Sequence, residues 1–308
     1  MMNVKKPNEF PLVSVVIPTF NRGHFLSRSI NSVLNQNFKN FELIVVDDGS
    51  TDNTYEIIQS FNNINLKYVR LDKNYGGSHA RNIGILSSRG RYIAFQDSDD
   101  EWNADKLEKQ VSLINVADKS VGVVYTRFKK IENRRITYIP SGKIKDKEGY
   151  ILNEILKANF VSTQTVLIKK ECFEKAGYFD DELPRLQDWD LFIRISFYYQ
   201  FLIIEDPLVT VYHHQDNISS NNLSLIVALN KIINKYMFLF KNNKSIVSRH
   251  YFHLSYLQFF HSDGLEWKKN LKNSLKNNPL NMRSWCAFFC GFNNYKVIAD
   301  FIKNICKF

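Results

Sequence analysis

The sequence predicts an α/β fold: a mainly parallel sheet flanked by helices, followed by a helical C-terminal region. Three observations carry this expectation. Short β-branched apolar runs alternate with amphipathic stretches through the first hundred residues. The apolar runs are near-continuous, as in strands covered on both faces, and not alternating as in half-exposed ones. From about Asn222 onward the pattern turns mainly helical. The expected division is therefore residues 1–220 and residues 221–308.

The elements follow in order. Val13-Ser14-Val15-Val16-Ile17 is a β-branched run bounded by Pro11 and Pro18, which marks a strand. Phe25, Leu26, Ile30, Val33 and Leu34 recur at helical spacing and give one apolar face. Phe41 to Val46 forms a second buried strand that ends at Asp47-Asp48-Gly49-Ser50. Thr51 to Phe61 reads as a helix and Leu66 to Leu71 as a third strand. Gly76-Gly77 breaks the chain before a helix from Ser78 to Ser88, and Tyr92 to Phe95 is the fourth strand. Further on, Val121 to Phe128, Ile136 to Ile139 and Thr165 to Ile168 read as strands and Asp188 to Tyr199 as a helix. The C-terminal region holds helical patterns at Leu225 to Phe240, Tyr251 to Phe260 and Val297 to Ile305.

In parallel sheets, ligands bind beyond the carboxyl ends of the strands. Asn21, Asp48 and Asp97 all lie just past strand ends, so one crevice is expected to collect them. The fourth strand delivers Asp97-Ser98-Asp99-Asp100. Closely spaced carboxylates at a sheet edge suit hard divalent ions, which bridge protein oxygens to substrate phosphates. The alternative is that Asp99 or Asp100 caps the helix expected to begin near Ala104.

Composition narrows the class. The chain is 44% hydrophobic and 23% charged, the balance of a globular protein. No apolar stretch reaches the 18 or more residues of a membrane-spanning helix. Met1 to Pro11 lacks the apolar core of a signal peptide, so a cytoplasmic location is expected. Cys172, Cys286, Cys290 and Cys306 form no C-x-x-C pair, and a disulfide framework is not expected. Cys286 and Cys290 share a helix face, where apolar packing is the preferred reading. The formal net charge of +10 is compatible with nucleic acid, anionic membrane or a phosphorylated substrate. It is not gathered into one long basic arm, and no recognition-helix or RNA-binding signature occurs, so no nucleic-acid partner is expected. There is no G-x-G-x-x-G and no G-x-x-x-x-G-K-[ST], which disfavours a dinucleotide fold and a P-loop.

The order of the motifs is more specific than any one of them. Pro18-Thr19-Phe20-Asn21 follows the first strand, Asp47-Asp48-Gly49-Ser50-Thr51-Asp52 the second, and Gly76-Gly77-Ser78-His79-Ala80-Arg81-Asn82 precedes the fourth. With the Asp-Ser-Asp-Asp run, this set resembles the family 2 glycosyltransferases, inverting enzymes of the GT-A fold, over Pro11 to Ser220. The resemblance implies that residues 1–220 are a GT-A nucleotide-sugar-binding catalytic domain. It implies that Pro18 to Asn21 line the base and ribose and that Asp48 accepts a hydrogen bond from the base, typically uracil. Arg81 would meet the diphosphate, Asp97 and Ser98 the ribose or sugar end of the donor, and Asp99 a divalent metal, Mn²⁺ or Mg²⁺. Read without the family, Asp48 is a turn residue before Gly49 and Arg81 a surface helix cation.

Leu186-Gln187-Asp188-Trp189-Asp190-Leu191 resembles the family's catalytic motif, which usually reads Glu-Asp before the Trp; here Gln187 stands in place of Glu. The departure bears on how Asp188 is oriented and how the acceptor is held. By resemblance, Asp188 is the general base that takes the acceptor hydroxyl's proton. The bland alternative makes it the N-cap of its helix. In Tyr212-His213-His214-Gln215, His214 is favoured over His213 as a contact to metal or diphosphate, and an imidazole ligand would tilt the choice toward Mn²⁺.

Trp285, Phe288, Phe289 and Phe292 precede Lys296, Lys303 and Lys307. Packing against the catalytic domain, with the lysines facing water, is the preferred reading of these aromatics. Peripheral contact with the inner face of the cell membrane and a homodimer interface are the alternatives. The expected function is metal-dependent, inverting transfer of a sugar from a nucleotide donor, UDP-linked by preference, to a hydroxyl of a glycan or lipid-linked glycan in bacterial surface polysaccharide synthesis. The rivals are a nucleotidyltransferase and a non-catalytic module that binds a glycan or a partner enzyme.

Overall fold

A computed structural model describes residues 10–132, 135–142, 144–212, 221–240, 243–262, 264–289 and 291–292. The chain divides into two compact units. One comprises Met1–Asp181 with Gln187–His214, and the other Glu182–Leu186 with Gln215–Phe308.

The first unit opens with β1 (Val13–Thr19), α1 (Gly23–Leu34), β2 (Phe41–Asp47), α2 (Thr54–Gln59), β3 (Leu66–Arg70), α3 (Gly77–Ser87) and β4 (Tyr92–Phe95). It continues through β5 (Glu101–Trp102), α4 (Lys106–Val116), β6 (Val121–Glu132), β7 (Arg135–Ile139), α5 (Leu152–Ile155), β8 (Val166–Lys169), α6 (Glu171–Ala176), α7 (Gln187–Ser196) and β9 (Gln200–Tyr212). The strands form one sheet in the order β3-β2-β1-β4-β8-β6-β9-β5, with β7 paired to β6. The β3, β2, β1 and β4 strands are mutually parallel, as the near-continuous apolar runs predict. The sheet then turns mixed, because β8 runs antiparallel to both β4 and β6, while β6 and β9 are parallel.

Alternate side chains cover the two faces. Val13, Val15 and Ile17 of β1, with Leu43 and Val45 of β2, pack with Leu26, Ile30 and Val33 of α1 in a core of completely buried residues. Val16, on the other face, lies directly under α3. A Cβ at Gly84 would fall 2.2 Å from Val16 Cγ1, so α3 sits closer to the sheet than any side chain at 84 would permit. Phe95 meets Phe179 edge-on at 5.4 Å between ring centroids.

Three departures from the sequence expectation have local causes. The α2 helix is shorter than Thr51 to Phe61, because Asp52 turns back to bond the Thr54 N–H and hydroxyl at its start. The β6 strand runs on to Glu132 in a hairpin with β7. Neither Asp99 nor Asp100 caps a helix, since β5 intervenes and α4 begins after Asp105.

The second unit contains α8 (Asn222–Lys235), α9 (Met237–Phe240), α10 (Lys244–His261), α11 (Glu266–Asn277) and a further helical stretch at 282–289. The expected helix from Leu225 to Phe240 is interrupted at Tyr236. Phe252, Leu271, Ala287 and Phe292 form its aromatic-rich core with Tyr256, Phe259, Phe260 and Trp267. Phe292 is buried among aromatics of this same unit, whereas Phe288 and Phe289 are exposed. The stretch from Val297 to Ile305, with Lys296, Lys303, Lys307 and Cys306, lies outside the described residues, as does Cys290. Among the described residues no helix is long and apolar enough to cross a membrane.

Candidate active site

The carboxyl ends of β1, β2 and β4 carry most of the candidate residues. Thr19 ends β1 and is buried, its Oγ1 without a hydrogen-bond partner among the described residues. Pro18 is half-buried and Phe20 exposed. Asn21 takes a left-handed conformation (φ 51°), which asparagine tolerates better than most residues. Its backbone N–H donates to Ser50 Oγ at 2.9 Å, and its Oδ1 accepts from the Thr51 N–H at 2.8 Å. Asn21 therefore ties the loop after β1 to the loop after β2.

Asp48 is buried, and both its oxygens are engaged. Oδ1 accepts from the Tyr75 N–H at 2.8 Å and Oδ2 from the Gly76 N–H at 2.7 Å. It anchors the loop before α3 as well as the turn at Gly49, and each oxygen retains a second lone pair. Burial raises its pKa above the ordinary carboxylate range, against the two N–H bonds and the nearby His79. Gly49 needs its positive φ of 76°, and a Cβ there would press on the Lys73 backbone at 2.7 Å.

After β4 the chain turns at Asp97-Ser98-Asp99-Asp100, with the Asp100 N–H donating to Asp97 O. Ser98 is buried and Asp99 half-buried. Asp100 is buried, and its Oδ1 accepts from the Tyr212 N–H at the end of β9 at 3.1 Å. Burial, then the charges of Asp97 and Asp99, hold Asp100 well above its usual pKa. Arg81 reaches across from α3, and its Nη2 donates to Asp97 Oδ1 at 2.7 Å. The buried Nε of Arg81 and the Oγ of Ser78, one turn earlier, have no hydrogen-bond partner among the described residues.

Asp188 lies in the first turn of α7, beyond the N-cap position. The preceding Leu186 has a φ of 62°, which swings the helix start into place. Trp189 pins the same turn by donating from Nε1 to Ile155 O of α5 at 2.6 Å. In the same turn, the completely buried Asp190 is paired with Arg194 at 2.8 Å. Burial raises the Asp188 pKa. A side-chain hydrogen bond from Asn159, the Trp189 N–H and the charge of Arg81 act the other way, and Asp97 adds to the rise. Asp97, Arg81 and Asp188 thus form one electrostatically linked group.

Two residues near this group went unnoticed in the sequence. Asn159 donates to Asp188, and its own Oδ1 is buried without a partner; it belongs to no motif. Arg28 of α1 donates to the Asp99 carbonyl and stacks on Tyr212 with 3.9 Å to the ring centroid. Its only sequence signal is a cation one turn from Phe25 on an otherwise apolar helix face. His213 and His214 lie outside the described residues.

A family model described as Glycosyl transferase family 2 matches residues 14–177, which take in the strands from β1 to β8 and the turns after β1, β2 and β4 but end before α7 and Asp188. The chain belongs to that family. Among curated relatives, the Escherichia coli UDP-Glc:alpha-D-GlcNAc-diphosphoundecaprenol beta-1,3-glucosyltransferase WfgD is 35% identical over 159 residues, 52% of this chain and 60% of WfgD. The chain spans less than two thirds of the length of the curated relatives it matches first. Among solved structures, S. aureus TarS 1–349 in complex with UDP-GlcNAc aligns with a TM-score of 0.63 at 20% identity, over 95% of this chain and 91% of TarS 1–349. The mannosyltransferase PcManGT from Pyrobaculum calidifontis, in complex with GDP-Man and Mn²⁺, aligns at 0.56 and 17% identity, over 96% and 90% of the two chains. These likenesses establish the GT-A fold of the family 2 chain.

Proposed function

We propose that this chain transfers a sugar from a nucleotide donor, UDP-linked by preference, to a hydroxyl of a glycan or lipid-linked glycan, with inversion and with a divalent cation. The observation that carries the reading is the group Arg81, Asp97 and Asp188. It couples one base to one cation at the mouth of the parallel strands. Ser78 Oγ and Arg81 Nε on α3 and Thr19 Oγ1 at the end of β1, buried with no hydrogen-bond partner among the described residues, give a polar ligand hydrogen-bonding groups to satisfy. WfgD's named donor and the UDP-GlcNAc complex of TarS support UDP, and WfgD's named acceptor supports a lipid-linked one.

Each residue has a definable task. Thr19 to Asn21 and Asp48 would receive the base and ribose. Arg81 would hold diphosphate oxygens with its fork, and Asp97 with Ser98 the sugar end of the donor. Asp188, its pKa raised by burial, takes the proton of the acceptor hydroxyl. The acceptor oxygen bonds to the anomeric carbon while the bond from that carbon to the diphosphate oxygen breaks. A single base suits inverting transfer by direct attack of the acceptor oxygen, whereas a glycoside hydrolase would need a pair of carboxylates flanking the bond.

The donor set fits a shared cation. Asp99 offers carboxylate oxygen, the chemistry that Mg²⁺ and Mn²⁺ take. Among the described residues no three ligand side chains converge. Asp99 would hold the ion, with His214 as the further candidate. A bound cation would supply charge to offset that gathering on the leaving nucleotide.

Calorimetric titration of UDP, GDP, CDP and ADP, with and without Mn²⁺, tests the donor site. Tight, Mn²⁺-dependent binding of UDP alone is the expected result. Asp188→Asn tests the base, with an expected fall of ~10²–10⁴ in kcat at unchanged UDP affinity. No nucleotide binding by the folded protein would favour the non-catalytic glycan-binding reading instead.

A further inference from the structure

The positive charge of this chain is segregated. Residues 221–308 hold 13 Lys and Arg against 3 Asp and Glu, so the whole formal excess of +10 lies there, and residues 1–220 are balanced. Lys268, Lys269, Lys272 and Lys276 of α11 are all exposed, as is Arg283 in the following helix.

The helix at 282–289 is unusual in its outer face. Its inner face buries Ser284 and Ala287, and Ser284 is hydrogen-bonded to Ser274 of α11 at 2.8 Å. A solvated helix would carry charges opposite these. Here the outward residues are Met282, Trp285, Phe288 and Phe289, with Met282 70% and Phe289 75% exposed. Trp285 stacks on Phe289 at 5.5 Å, and its Nε1 donates to Pro279 O at 2.7 Å. That bond draws in the preceding turn, where Leu280 is 85% exposed. The result is an apolar cluster of Trp285, Phe288 and Phe289 on a helix that also exposes Met282 and the basic Arg283.

We propose that this face docks on an anionic lipid surface, Leu280, Met282, Phe288 and Phe289 entering the acyl boundary and the Lys and Arg side chains meeting lipid phosphates. Trp285, half-buried with its ring N–H engaged, takes the interfacial position that tryptophan favours. Two other occupants fit less well. A second copy would bring the same excess of positive charge against itself. A nucleic acid would account for the lysines but has no use for exposed leucine and methionine. The inference does not depend on the donor or on Asp188.

The full chain is centrifuged with phosphatidylcholine vesicles and with vesicles that also contain phosphatidylglycerol. Sedimentation with the second kind only, weakened by salt, is expected. Phe288→Ser with Phe289→Ser should cut the partition coefficient at least about tenfold, with the circular dichroism spectrum and melting unchanged. Should that pair unfold the helix, brominated lipid provides the alternative: it should quench tryptophan emission in the wild type and markedly less in Trp285→Phe. Failure to sediment with anionic vesicles, or equal binding by a folded Phe288→Ser, Phe289→Ser variant, overturns the proposal. So would a dimer in sedimentation velocity that the same pair abolishes, or full competition by single-stranded nucleic acid with no quenching by brominated lipid.

Discussion

Arg81 and Asp97 form a charge-assisted pair, Nη2 to Oδ1 at 2.7 Å, that joins α3 to the end of β4. The same guanidinium acts on Asp188 of α7. The successive elements α3 and β4 therefore share one cation with the distant α7.

Arg81→Met should leave Asp97 and Asp188 without that cation. A hydrogen bond to a charged group contributes about 1.5–3 kcal/mol, so kcat/KM is expected to fall by ~10–100-fold. Arg81→Lys should recover only part, because an ammonium lacks the planar fork. Steady-state kinetics of the two variants with a UDP-sugar donor check this; equal activity of wild type and Arg81→Met would refute it.

The raised pKa of Asp188 has a signed consequence. Its folded carboxyl binds a proton more tightly than the unfolded one, so the group costs stability as pH climbs from the ordinary 3.8 through its raised value. Asp188→Asn should therefore raise Tm at neutral pH, and the difference should shrink toward pH 4. Calorimetric melts across that range give the answer. The same titration should set the acid limb of kcat/KM above the usual carboxylate range.

Gly84 and Val16 are coupled by contact. Gly84→Ala should destabilise the protein by about 1–3 kcal/mol, the scale of overpacking. Val16→Ala in the same chain should return part of that loss by opening room. Urea melts of the two single variants and the double variant complete the cycle, and strict additivity would show that the contact is not what limits this position.

Arg28→Met should loosen the turn that carries Asp99, since it removes both the bond to the Asp99 carbonyl and the stack on Tyr212. Mn²⁺-dependent UDP affinity is expected to drop several-fold, while UDP affinity without metal changes little. A parallel loss of both would point to general unfolding instead.

Local pattern carried much of the fold. The runs at Val13, Phe41 and Tyr92 are strands because apolar continuity and short length leave no other use for them. The β9 strand escaped notice because Glu205-Asp206-Pro207 interrupts it, where the pairing with β6 shifts register. Strand β5 is two residues long and exists only through its pairing with β9. The α11 helix reads as a solvated Lys and Asn tract, although Leu271 and Ser274 are buried and Trp267 packs against the core. At the site, Arg81, Asp97 and Asp188 could be named from motifs, but their linkage could not, because it depends on crossings between α3, β4 and α7. Asn159 was illegible, as its contact with Asp188 spans 29 residues and leaves no spacing signature.

Asp48 is bonded to two consecutive N–H groups, those of Tyr75 and Gly76. The wall beside the candidate base pocket is thus latched by a single titratable group, and acid loosens the latch when that carboxylate takes up a proton. On lowering pH, amides of the 72–77 loop should begin to exchange with solvent while those of β1 and β2 stay protected. The pocket would come undone from its rim before the sheet beneath it melts.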